Sequence, residues 1–178
     1  MHQSGQGSIR GVVLPLRCPH LVTLLPTRTA TVQSQPHDDV LHRFLLPRAG
    51  VRGALVRLGP CWREVASRAD YPSALLACLG EALAASALLT GNIKLDGSLS
   101  IELKSSSALR LLFAECSDQG LLRGLARWNE PLPEPLAFDQ LADAVLAITL
   151  GNLERGQRYQ GLVELRQAGL AESLENYS

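Results

Sequence analysis

The stretch 88–103, "LLTGNIKLDGSLSIEL", ends one periodicity and begins another. Before it, residues 73–90 place Leu75, Leu76, Leu79, Leu83, Leu88 and Leu89 on one wide face, with Ala77, Ala82, Ala84, Ala85 and Ala87 over most of the remainder. Leucines three and four residues apart, with small residues elsewhere, predict a helix buried on nearly all sides, about 26 Å long at ~1.5 Å per residue. After it, Leu99, Ile101 and Leu103 alternate with Ser98, Ser100, Glu102 and Lys104, the period of two of a strand with one wet face. Gly91 and Gly97 punctuate the passage. The junction predicts a long core helix that feeds the first strand of the sheet it supports.

The strand period continues downstream. Leu109, Leu111 and Phe113 share one face of a second strand, and further strands are predicted over 121–128, 144–150 and 159–165. The short polar connections "SDQG" and "GNLERGQ" favour antiparallel neighbours, while "NEPLPEPLAFDQLAD" makes one longer excursion. Upstream, "VRGALVRL" (51–58) reads as a strand, and "GPCWREVASRADYP" as a short helix opened by Gly59-Pro60 and stopped before Pro72. "HDDVLHRFLL" (37–46) predicts a short helical turn capped by Asp38 or Asp39. "GLAESLENY" (169–177) closes the chain as a helix, with Leu170, Leu174 and Tyr177 on one face. The expected fold class is α+β, an antiparallel sheet packed against a long buried helix. Residues 1–36 stand apart: they hold Arg10, Arg17 and Arg28 but no acidic residue, and Pro15, Pro19 and Pro26 break every apolar period. They are expected to be a disordered or non-native N-terminal extension, which leaves 37–178 as the domain.

Apolar residues make up 46% of the 178-residue chain and charged residues 19%, a globular composition. Seventeen basic residues balance seventeen acidic ones, so no overall electrostatic footprint for nucleic acid or an anionic membrane is present. The sole aromatic and basic cluster is Trp128 with Arg123 and Arg127, and alternation puts both arginines on the face opposite the indole. The run 73–93 lacks Lys and Arg, yet Glu81 near its middle and its many alanines make it a core helix rather than a membrane span. Neither nucleic acid nor a membrane is expected as partner.

Motifs for chemistry are absent. No P-loop, G-x-G-x-x-G, G-x-S-x-G or H-E-x-x-H occurs. Cys18, Cys61, Cys78 and Cys116 are far apart, without a C-x-C or C-x-x-C pair, so they form no readable zinc site or disulfide framework. Cys78 and Cys116 lie in apolar runs where buried thiols are common, and widely spaced reduced thiols point to the cytoplasm. All four histidines, His2, His20, His37 and His42, lie in the first quarter, so a nucleophile pair would need His37 or His42. Among carboxylates, Asp38 and Asp39 read as caps, while Glu130, Glu134, Asp139 and Asp143 read as solvated surface. Glu81, within an apolar helix, must emerge to solvent or pair with an arginine. No catalytic, cofactor-binding or metal residue is assigned. A surface that binds apolar protein segments would leave no short motif.

The segments "DDVLHRFLL", "VRGALVRL", "DYPSALLACLGEALAASALLTGNIKLDGSLSIEL", "LRLLFAECSDQGLLRGLAR", "ERGQRYQGLVEL" and "LAESLENY", in this order and spacing, resemble the N-terminal domain of the heat shock protein 33 family of redox-regulated chaperones. "IKLDG", "LRGLAR" and "RYQGLV" carry the resemblance, which runs from about His37 to Tyr177. It implies an ATP-independent holdase, not an enzyme, that binds unfolding or oxidatively damaged client proteins in the cytoplasm under oxidative stress and forms a homodimer. In that family the zinc cofactor sits in a C-terminal domain on C-x-C and C-x-x-C cysteines. Those positions lie beyond Ser178, so the resemblance implies a truncated domain with no cofactor and no inherited switch role for Cys18, Cys61, Cys78 or Cys116. The sequence departs from the family at "KSSSA", where a glycine-rich turn is expected, and in its leader. Two further readings stand beside the holdase: an inactive remnant with an unpaired sheet edge, and a small hydrolase using His42 with Cys61 or a nearby serine.

Overall fold

The structure is a computed structural model, and it describes residues 16–17, 38–93, 96–152, 156–165 and 169–175. Along the described chain run β1 (Leu16–Arg17), β2 (Val40–Leu46), β3 (Val51–Arg57), α1 (Pro60–Ala66), α2 (Ser73–Asn92), β4 (Gly97–Lys104), β5 (Leu109–Ser117), β6 (Leu121–Trp128), β7 (Val145–Asn152), β8 (Gln157–Val163) and α3 (Leu170–Glu175). Six strands form one antiparallel sheet in the order β1-β6-β5-β4-β7-β8, and β2 with β3 form a separate hairpin. The predicted α+β class is the observed one.

Helix α2 packs on β4, β5 and β6 and also touches the hairpin. Leu75, Leu79, Ala82, Leu83 and Ala87 meet Leu99, Ile101, Leu103, Leu112, Ala114, Cys116 and Leu122 in one core, each large side chain contributing about 2 kcal/mol on burial. A close approach at β6 depends on Gly124: a Cβ there would stand 3.0 Å from Leu83 Cδ2 and 3.3 Å from Leu79 Cδ1. The helix is nevertheless buried on one side rather than nearly all. Ala77 and Glu81 are exposed, and Gly80, Ala84 and Leu88 are half-buried. Glu81 thus emerges to solvent, one of the two outcomes its position allowed. Alpha-helix α2 is long and apolar enough to cross a membrane by length and composition, but half of it is buried inside the fold.

Three local expectations are corrected. Residues 40–46 are strand β2, not a helical turn, because Val40–Leu46 pairs in full register with Val51–Arg57 across a tight turn. Asp39 does cap a helix, but a distant one: buried at its carboxylate, it accepts the Gly59 N–H at 2.6 Å and the Cys61 N–H at 3.0 Å, at the opening of α1. Pro60 supplies no N–H there, so these donors are among the orphans of the first turn. In β5, Leu109 pairs with Trp128 and Leu111 with Arg127, which leaves Arg110 as a bulge. One extra residue reverses the facing of all that follow. Leu112, Ala114 and Cys116 therefore point into the core, and Leu111 and Phe113 lie on the outer face.

The junction also differs in detail. Gly91 is inside α2, and the space its missing side chain leaves is taken by Leu41 of β2. Gly97 opens β4 with φ +153° against the Gly151 carbonyl. Of the leader, only β1 is described, paired with Leu121 and Leu122 at the β6 edge. The remainder of that expectation, His37, Lys94, Leu95 and the Tyr177 end of the last helix lie outside the described residues. Leu170 is buried at the start of α3, as its spacing predicts.

Candidate functional site

The hairpin has a dry base and a wet tip. At the base, Leu41 lies against Gly91 of α2, and Val56 and Leu58 pack on the core. At the tip, the turn closes with the Ala49 N–H donating to the Leu46 carbonyl at 3.1 Å. Register fixes the side chains between: His42 opposite Leu55, Phe44 opposite Gly53, and Leu46 opposite Val51. Period-two geometry puts these six on the face opposite to Leu41 and Val56. Phe44 lies across Gly53, in the space where a side chain would stand. The face is apolar and open: Phe44 is 49% exposed, Leu46 51%, Val51 47% and Leu55 61%.

Such a patch on a rigid base is unusual for a monomer surface, where contiguous exposed apolar groups mark interaction sites. Its charge is one-sided. Between Val40 and Arg63 the sequence holds five arginines and no acidic residue, and Arg43, Arg48 and Arg52 are exposed around the tip. Next to the hairpin, Leu58, Trp62, Gly80 and Ala84 line an open cleft of about 240 Å³.

The outer face of the large sheet offers a weaker alternative. Leu111, Phe113 and Leu125 are only half-buried there, but charges interrupt them. Glu102 sits opposite Phe113 and pairs with Lys104 at 2.7 Å. Glu115 accepts the Ser98 hydroxyl at 2.7 Å and pairs with Arg123, whose guanidinium lies 5.9 Å from the Phe113 ring centroid. The hairpin face carries no acidic residue; its polar groups are His42 and, at the base, Arg57. At the sheet's far edge, Val145, Tyr159 and Leu162 are also exposed.

The sequence-derived candidates are scattered. His42 is exposed on the hairpin. Cys61 is buried at the first turn of α1 and disulfide-bonded, contrary to the expected reduced thiol, so it supplies no thiolate for His42 to activate. That removes the cysteine form of the hydrolase reading. It also removes the thiol argument for a compartment. Trp128 points inward, its ring centroid 5.5 Å from that of Tyr71 and tilted 44° to it, with Arg123 and Arg127 on the other face, as alternation requires. Glu134 accepts the Ser73 hydroxyl at 3.1 Å, and Asp143 accepts that of Ser106 at 3.0 Å. Among the described residues no group of three His, Cys, Asp or Glu side chains is placed to hold a metal ion.

The remaining thiols are built to be inert. Burial, with the Glu81 carboxylate second, pushes Cys78 up to about 11; burial likewise pushes Cys116 up to about 11. Iodoacetamide at pH 8 is expected to label these two only on unfolding in urea, since the thiolate is the nucleophile; rapid labelling of both in the native chain would contradict the burial. The sign of the linked pH effect follows. The folded chain holds these protons more tightly than the unfolded chain, so their stabilisation is complete below the unfolded thiol value. It declines by up to ~1.4 kcal/mol per pH unit for each thiol as pH rises toward the folded value. The urea midpoint should fall between about pH 9 and pH 11.

Sequence reading missed the hairpin face. Its signal was present in "RFLLPRAGVRGALVRL", where Phe44, Leu45 and Leu46 run together and arginine is the only charged residue type. A strand apolar on both faces reads as interior, and only the tertiary arrangement shows that nothing described covers this one.

Comparison with known proteins places these features in a family. The family model for the Hsp33 protein matches residues 39–178. The 33 kDa chaperonin of Pseudomonas savastanoi pv. phaseolicola is 43% identical over 144 residues, which is 80% of this chain and 48% of that protein. The 33 kDa chaperonin of Chromobacterium violaceum is 41% identical over 143 residues, 79% of this chain and 49% of that protein. In fold, the chain is similar to the crystal structure of the 33 kDa chaperonin (heat shock protein 33 homolog) of Thermotoga maritima. The TM-score is 0.63 at 22% identity, over 77% of this chain and 49% of that one. The chain spans about half the length of the curated relatives it matches. With a family model over four-fifths of its residues and relatives above 40% identity, the chain belongs to the Hsp33 protein family.

Proposed function

We propose that the chain is a chaperone of the holdase type, which binds unfolding proteins under oxidative stress without ATP. The carrying observation is the open apolar face of Phe44, Leu46, Val51 and Leu55 on a hairpin anchored to the core, in a chain related to proteins named chaperonins. Unfolding proteins expose apolar surface, and burial of that surface on a fixed apolar platform is favourable and unselective, at about 25 cal/mol per Å². No phosphate-cradling motif is present, so the binding step draws on no nucleotide. The 178 residues contain no C-x-C or C-x-x-C pair, and the chain's own binding is expected not to respond to zinc or peroxide.

The test is light scattering from a thermally unfolding client enzyme. A several-fold molar excess of the chain should suppress aggregation equally with and without ATP, a zinc chelator or peroxide. The double substitution Phe44→Ser and Leu55→Ser should reduce protection several-fold with an unchanged melting temperature, because the two residues are already 49% and 61% exposed. Client aggregation that proceeds unaltered beside a cooperatively folded chain would overturn the proposal and favour an inactive remnant.

A further inference from the structure

We infer that the hairpin selects extended client segments in which apolar residues alternate with aspartate or glutamate. This rests on the reading of the chain as a polypeptide binder and adds a charge preference to it. Two observations carry it. The hairpin is a two-stranded sheet, so among the described residues both outer edges of β2 and β3 lack a strand partner, and an added strand would satisfy their backbone groups. An added strand necessarily alternates its side chains between the two faces. At the β2 edge it would lie beside Phe44 and Leu46 on one face and Arg43 and Leu45 on the other; at the β3 edge, beside Val51 and Leu55, with Arg57 at the base, on one face and Arg52 and Ala54 on the other.

The two faces therefore ask for different chemistry at alternate positions. Apolar side chains suit the first. Carboxylates suit the second, because Arg43 and Arg52 are exposed, Arg48 stands at the turn, and no acidic residue occurs between Val40 and Arg63. The imbalance is local, since the whole chain carries seventeen residues of each sign. A basic segment at the same edge would set like charges side by side. An anionic lipid surface would match the charge but leave the strand edges unpaired, and nucleic acid would find only the Phe44 and His42 rings to stack on across the face. A polypeptide strand uses all three features: edge, apolar face and basic face.

The experiment uses the full 178-residue chain and fluorescein-labelled twelve-residue peptides, followed by anisotropy at low salt. One peptide alternates valine with glutamate, one alternates valine with lysine, and one has the first composition in shuffled order. The alternating acidic peptide is expected to bind at least tenfold more tightly than either other peptide. Arg43→Glu with Arg52→Glu should reverse the order of the two alternating peptides without altering the thermal melt. Equal binding of acidic and basic peptides overturns the inference while client protection in the scattering assay stands. Binding of no peptide together with absent client protection overturns both. Tighter binding to phosphatidylglycerol vesicles than to the acidic peptide, lost in the same double variant, overturns it in favour of an anionic surface.

Discussion

Replacing Gly97 by alanine is expected to destabilise the fold by at least about 3 kcal/mol, read as a lowered urea midpoint at unchanged slope. Gly97 opens β4 with φ +153°, a conformation L residues rarely adopt. Sterics add to that strain. A Cβ at this position would overlap the Gly151 carbonyl oxygen and lie 3.1 Å from Asn152 Cα, both backbone atoms of β7. Backbone in a paired ladder has little room to yield. Relief would require opening the end of the β4–β7 ladder, where Gly97 pairs with Asn152 and Ser98 with Gly151. It would also disturb the hydrogen bond from the Asp118 N–H to the Gly97 carbonyl, 2.8 Å. Gly91→Ala is the informative comparison. There the obstacle is the end of the Leu41 side chain, which has rotamers to move through, and alanine recovers about 1 kcal/mol of helix propensity. The cost at 91 should be about 1 kcal/mol or less. Equal costs at the two positions would show that backbone overlap is not what makes Gly97 necessary.

Asp39→Ala should cost about 2–4 kcal/mol. The buried carboxylate accepts two backbone N–H groups twenty and twenty-two residues away, at Gly59 and Cys61. Alanine would leave both donors at the start of α1 without this acceptor, and a charge-assisted hydrogen bond is about twice as strong as a neutral one. Asn should lie between, since it keeps one acceptor oxygen, and Asp38→Ala should stay within about 0.5 kcal/mol. Amide exchange at Gly59 and Cys61 gives the local readout: both should accelerate in Asp39→Ala beyond what the global loss accounts for. Unchanged exchange at these amides would exclude the capping role. The substitution has a functional consequence as well. Asp39 immediately precedes β2, and its two bonds tie the entry of the hairpin to the helix that follows its exit. Loosening them should blunt client protection at temperatures where the remaining sheet is still folded.

The relation between sequence and fold differs element by element. Strand β4 was legible because Leu99, Ile101 and Leu103 alternate cleanly against Ser and Glu, and one face is in fact dry. The inward Trp128 and outward Arg123 and Arg127 of β6 followed from the same period. Strand β5 was legible as a strand but not in its facing, because the Arg110 bulge is a two-strand feature, visible only against the pairing with β6. Strand β2 was misread as a helical turn. Two aspartates before an apolar run imitate a local cap, and only the chain's return through α1 shows that Asp39 serves a helix twenty residues later. Helix α2 was recognised by its leucines, but its alanines concealed a wet side. Alanine fits buried and exposed helix positions alike, so composition does not reveal where the partners stop.

The candidate site divides along the same line. Catalytic motifs and metal spacings are patterns of residue identity, and the sequence alone withheld them; it also carried the segments that mark the family. By itself it determined a long apolar helix before an antiparallel sheet, since helical and strand periods record which positions are kept from water. Tertiary structure alone decided which apolar residues stay in water. Phe44, Leu46, Val51 and Leu55 carry the same side chains as the core, and they differ from Leu99 or Leu103 only in what packs over them. Exposure is a property of contacts between distant segments. No local pattern encodes a contact that is left unmade.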